Sequence, residues 1–155
     1  MRLASVLAHI FGLGAVPRGQ GALASILGLA LASGAYHAGG TWAVLGLGLA
    51  LLAAGVWACD TLLDTAAGGA GVDPARLVIR DLAGQVLTLA AVPMTPAGLL
   101  IGFGAFQVFA LARPWPSLAR PLRLSRGSAV MLDGALSAVA AAAIVGFMTW
   151  ALGTA

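Results

Sequence analysis

The sequence predicts an all-α fold: a polytopic bundle of about five membrane helices plus an interfacial helix at the N-terminus. Three observations carry this. Hydrophobic residues make up 61% of the 155-residue chain and charged residues only 8%, with a mean hydropathy of +1.01, whereas soluble domains carry roughly a quarter charged residues. Long apolar runs alternate with short Gly- and Pro-containing breaks. The few polar groups gather at the ends of those runs, as expected where the bilayer is the solvent. Residues 1–155 therefore read as a single integral membrane domain.

The elements follow in order. Residues 2–13 make an apolar helix too short to span, with Leu3, Val6, Leu7, Ile10 and Phe11 on one face, suited to the membrane interface. The glycine-punctuated turn from Gly12 to Gly21 ends it. Span one covers about Ala22 to His37, a tight Gly39-Gly40 turn follows, and span two covers about Thr41 to Cys59. A polar connector holds Asp60, Asp64 and Gly68-Gly69, with Asp60 and Asp64 reading as a solvated helix end. Asp73 reads as an N-cap with Pro74 at the first helical position, opening a helix over 75–92 long enough to cross. After Pro93-Met94-Thr95-Pro96, span four covers about Ala97 to Ala112. A basic loop takes 113–127, and span five covers about Ser128 to Leu152.

Charge sets the expected orientation. All eight basic residues are arginines, and the acids are Asp60, Asp64, Asp73, Asp81 and Asp133. With five alternating segments and a cytoplasmic N-terminus, every arginine falls on the cytoplasmic side and both outer turns are uncharged, as the positive-inside rule requires. The arginines sit in separate loops without interleaved stacking aromatics, so no nucleic-acid partner is expected. Cys59 stands alone, which excludes a disulfide framework and a cysteine metal site and leaves it as a small buried hydrophobe. Arg80, Asp81, Gln107 and Asp133 lie in or beside spans near their cytoplasmic ends, and ionisable groups there mark a candidate site by default.

These residues fall into motifs. Pro17, Gly21 and Leu23 follow the first glycine turn; Asp73-Pro74 precedes Val78-Ile79-Arg80-Asp81 and Gly84-Gln85; Phe106-Gln107-Val108-Phe109-Ala110 leads to Arg113-Pro114-Trp115-Pro116; Val130-Met131-Leu132-Asp133-Gly134 closes the series. In order and spacing this resembles the phosphatidylglycerophosphatase A family over about residues 8–140. The resemblance implies a small inner-membrane phosphatase, dependent on magnesium, that converts phosphatidylglycerophosphate to phosphatidylglycerol. It also locates departures. Where the family has Pro-Gly-Thr-x-Gly-Ser the chain reads Pro17-Arg18-Gly19-Gln20-Gly21-Ala22. Asp-Glu becomes Arg80-Asp81, Phe-Arg-x-x-Asp becomes Phe106 to Ala110 with Gln107 and no acid, and Asp-Asp becomes Asp133-Gly134.

Metal-assisted phosphate hydrolysis needs carboxylates around a hard cation and donors for the phosphoryl oxygens. Of the family's acids only Asp81 and Asp133 remain, and they are the candidate catalytic residues and the magnesium ligands if magnesium binds. Arg80 is the expected internal cation in the metal's place, because a guanidinium opposes a nearby cation and forms charged hydrogen bonds to carboxylates. Arg18, Arg113, Arg120, Arg123 and Arg126 are candidate ligands of phospholipid head groups, a role that shares its residues with positive-inside orientation. Two functions are carried forward. One is a catalytically degenerate relative, needing no cofactor, that serves as an accessory subunit among other integral membrane subunits. The other is an active magnesium-dependent phosphatidylglycerophosphate phosphatase.

Overall fold

The computed structural model describes residues 20–66, 78–112 and 124–151; the expected interfacial helix over 2–13 and the Asp73-Pro74 helix start lie outside them. Among the described residues the chain is all-helical: α1 (Gln20–Ala66), α2 (Ile79–Ala90), α3 (Pro96–Ala112) and α4 (Arg126–Ala151).

α1 is broken where the sequence puts its tight turn. Gly39 (φ −161, ψ 23) and Gly40 (φ 65, ψ −160) leave helical geometry, and Gly40 sits in a region that side chains with a Cβ all but never occupy. The chain doubles back there, because both arms meet the same short helix. In the first arm Gly21 approaches Asp81, Gly28 approaches Gln85, and Ala32 clusters with Val86 and Leu89. In the second arm Val44 joins that cluster, Gly48 approaches Leu87, and Ala58 and Cys59 pack with Val78 and Ile79. The first arm therefore runs parallel to α2 and the second antiparallel. Small residues at 21, 24, 25, 28 and 32 on one face of the first arm make the close approach possible.

α2 is the centre of the bundle, with every residue but Leu87 and Ala90 buried. α3 begins at Pro96, whose fixed φ suits a first helical position, with Thr95 Oγ1 accepting the Gly98 N–H at 3.1 Å. It lays Phe106 against Gly84 of α2 and against Ala138 and Ala141 of α4.

Five spans are not supported. Two stretches are long and apolar enough to cross a membrane by length and composition, Gln20–Leu62 and Gly127–Ala151. The helix expected to cross over 75–92 has twelve residues, Ile79–Ala90, about 18 Å at 1.5 Å per residue against a hydrocarbon core of about 30 Å. Pro96–Ala112 is likewise a shorter apolar helix. Apolar length alone overstated both: α2 is enclosed by its neighbours, and α3, apolar and for the most part not buried, has only seventeen residues.

Asp60 is a second correction. It joins two distant segments, with Oδ1 accepting the Gly127 N–H at 2.7 Å and Oδ2 accepting the Ser125 hydroxyl at 2.8 Å. Ser125 Oγ also accepts the Ser128 N–H at 3.1 Å, so α4 is capped locally by Ser125 and across the fold by Asp60. Asp60→Ala is expected to lower stability by about 1–2 kcal/mol, in the range of lost helix caps, measured by denaturant unfolding in detergent. Asp60→Asn should retain most of it.

Candidate functional site

The site is built where the start of α2 meets the early part of α4. Residues 80 and 81 are consecutive, so a helix turns their side chains about 100° apart. Both are nevertheless buried, because α2 is covered on nearly all sides. Arg80 resolves the conflict with its long stem, turning its guanidinium across both acids. Its Nε donates to Asp81 Oδ1 at 2.9 Å and its Nη2 to the same oxygen at 2.7 Å. Its Nη1 donates to Asp133 Oδ2 at 2.9 Å. Side-chain exposure is 9% for Arg80, 11% for Asp81 and 22% for Asp133, so the cluster is enclosed and opens toward solvent mainly at Asp133. One guanidinium serves two carboxylates, all three bonds charge-assisted.

Two glycines allow this arrangement. A β-carbon on Gly134 would lie 2.7 Å from Arg80 Cγ and 2.8 Å from the Arg80 carbonyl oxygen, and one on Gly21 would lie 2.7 Å from Asp81 Oδ2. α4 and the first arm of α1 thus come up against the cluster with bare backbone. Gly134 follows Asp133 directly, so one turn of α4 supplies both the second acid and the room for Arg80.

A family model for phosphatidylglycerophosphatase A matches residues 6–149. The chain belongs to this family. No curated protein and no solved structure matches it. Membership in the phosphatidylglycerophosphatase A family makes magnesium the metal to test against the described residues, and they do not fit it. Magnesium needs carboxylate oxygens converging on a shared centre at about 2.0–2.1 Å, and the centre between Asp81 and Asp133 is filled by the Arg80 guanidinium. Among the described residues no group of three or more His, Cys, Asp or Glu could hold a metal ion.

Asp81, Asp133 and Arg80 are thus brought together from positions 52 residues apart in the chain. Arg18, Arg113, Arg120 and Arg123 lie outside the described residues, as does the side chain of Arg126. Gln107 does not join the Arg80 cluster. Half-buried on α3, it accepts a hydrogen bond from the Ser25 hydroxyl of α1 at 3.0 Å. Ser25 had no chemical motif to mark it, but it sits between Gly21 and Gly28 at helical spacing, and a polar side chain on a small-residue packing face was the available signal. Cys59 is fully buried in the apolar cluster with Val78 and Ile79, as its isolation suggested.

Proposed function

We propose that the chain is an integral inner-membrane protein of the phosphatidylglycerophosphatase A fold that has lost catalysis and serves as a structural or accessory subunit of a larger membrane assembly. The observation that carries this reading is the Arg80 guanidinium bonded to both remaining acids. Arg80 takes one oxygen of each carboxylate, Asp81 Oδ1 and Asp133 Oδ2, and its fixed positive charge between them opposes a metal cation. Support for the membrane setting comes from the large apolar side chains left on the outside, Trp42, Leu100, Leu111 and Trp150 among them, which water would disfavour and lipid or a neighbouring helix would cover. In this reading the N-terminus and the arginine loops face the cytoplasm. There Arg18, Arg113, Arg120, Arg123 and Arg126 meet phospholipid head groups, and the apolar faces meet partner subunits.

Phosphate release from phosphatidylglycerophosphate in mixed micelles tests the loss of catalysis. The purified chain is expected to release no more phosphate with Mg²⁺ than without it. Turnover that needs Mg²⁺ and disappears in Asp133→Ala would establish the chain as a working phosphatase instead. The accessory role predicts stoichiometric companion chains after mild detergent extraction, and a protein that always purifies alone would refute that part.

A further inference from the structure

Among the described residues, three buried polar side chains belong neither to the Arg80 cluster nor to the Ser25–Gln107 bond; Thr88 and Ser137 donate to helix carbonyls, and the third is Gln85. Gln85 is wholly buried, and neither its amide nitrogen nor its amide oxygen has a hydrogen-bond partner among the described residues. It stands one turn beyond Asp81 on α2, turned toward the first arm of α1. Gly28 brings bare helix backbone against it there: a β-carbon at 28 would lie 3.1 Å from Gln85 Cβ and 3.2 Å from its Cγ. The stem of Gln85 therefore lies in the seam where the first arm of α1 meets α2. Native interiors complete nearly all such groups, with protein or with a bound molecule.

We infer that the seam between α1 and α2 at Gln85 binds a neutral hydroxyl group, carried either by a water molecule or by an alcohol of a lipid head group. The amide itself selects this chemistry. Its NH₂ needs an acceptor and its oxygen needs a donor. A phosphate or carboxylate only accepts, an ammonium only donates, and either brings a charge into a fully enclosed place at high desolvation cost. A hydroxyl or a water both donates and accepts without charge. The site holds whether or not the chain turns over substrate, since it uses none of the Arg80 cluster.

The test uses the full ¹⁵N-labelled chain in lipid nanodiscs, with the Gln85 side-chain amide assigned by its loss in Gln85→Met, or by its shift in Gln85→Asn if the methionine variant does not fold. In phosphatidylcholine discs, whose head group has no hydroxyl, through-space magnetisation transfer from water to the Gln85 amide protons identifies a bound water. In phosphatidylglycerol discs, transfer from the glycerol head-group protons identifies a lipid hydroxyl. Either result supports the site and assigns its source. Amide protons that contact only protein protons in both discs overturn it. A second readout is independent of assignment: Gln85→Met should lower Tm by about 2–4 °C through ejection of the bound hydroxyl. A Tm that rises, as expected when an unbonded amide is replaced by an apolar isostere, overturns it as well.

Discussion

An Arg80→Met variant is expected to lose about 3–5 kcal/mol of folding stability, the range seen when one partner of a buried ion pair is removed. The loss has two parts. The guanidinium's three charge-assisted bonds disappear, and Asp81 and Asp133 are left facing each other with no cation between them. Like charges held in an enclosed place repel more strongly than they would in water. Unfolding in detergent, followed by circular dichroism, measures the change. Adding Asp81→Asn and Asp133→Asn to the methionine variant should restore much of the stability, because it removes the repulsion and leaves amides that hydrogen-bond each other. The same variant distinguishes a displaced metal from a metal that was never accommodated. With Arg80 gone, millimolar Mg²⁺ should raise the Tm of Arg80→Met and leave that of the parent unchanged. A parent protein that Mg²⁺ stabilises as strongly as the variant would mean that Arg80 yields its place to the ion, and the proposed loss of catalysis would fall with it.

The second large effect is expected at the glycine contacts. Gly84→Ala puts a methyl 2.6 Å from Phe106 Cε2 and 2.9 Å from the Gly134 carbonyl oxygen, while Gly134→Ala puts one 2.8 Å from the Arg80 carbonyl oxygen. Backbone oxygens cannot rotate away as a side-chain tip can, so whole helices must separate. Each change is expected to cost about 2–3 kcal/mol, in the upper part of the range for overpacked cores, measured as a fall in denaturation midpoint. Gly146→Ala is the matched control, since nothing lies within 4 Å of its added methyl. It should leave stability unchanged or slightly raised through better helix propensity. Equal effects at 84, 134 and 146 would show that these losses come from helix propensity or lipid contact and not from the packing described.

The Gly134 contact also bears on how the site diverged. The family resemblance places an acid at 134, yet here that position is pressed against the backbone of Arg80. Gly134→Asp alone is therefore expected to be more damaging than Gly134→Ala. Restoring Arg80→Asp, Ala110→Asp and Gly134→Asp together leaves the approach of the two backbones unrelieved.

Much of this protein was determined locally and was legible in the sequence. The helical class follows from apolar runs in which no backbone group can go unbonded, and the α1 break follows from Gly39-Gly40, one of which adopts a conformation closed to other residues. The family followed from several short motifs in order along nearly the whole chain. The count of crossing helices was not legible, because a helix apolar through burial and one apolar through contact with lipid have the same composition. Nor was the capping role of Asp60, which depends on a partner 67 residues away. The pairing of Arg80 is the clearest division between the two. Its charge and its neighbours in the chain suggested an internal cation, but whether it would turn inward depended on α4 arriving with Asp133 to bond and Gly134 to make room. Sequence determined which groups were available. Tertiary packing decided that two carboxylates share one guanidinium, because only the assembled helices remove the water that would otherwise have kept those charges apart.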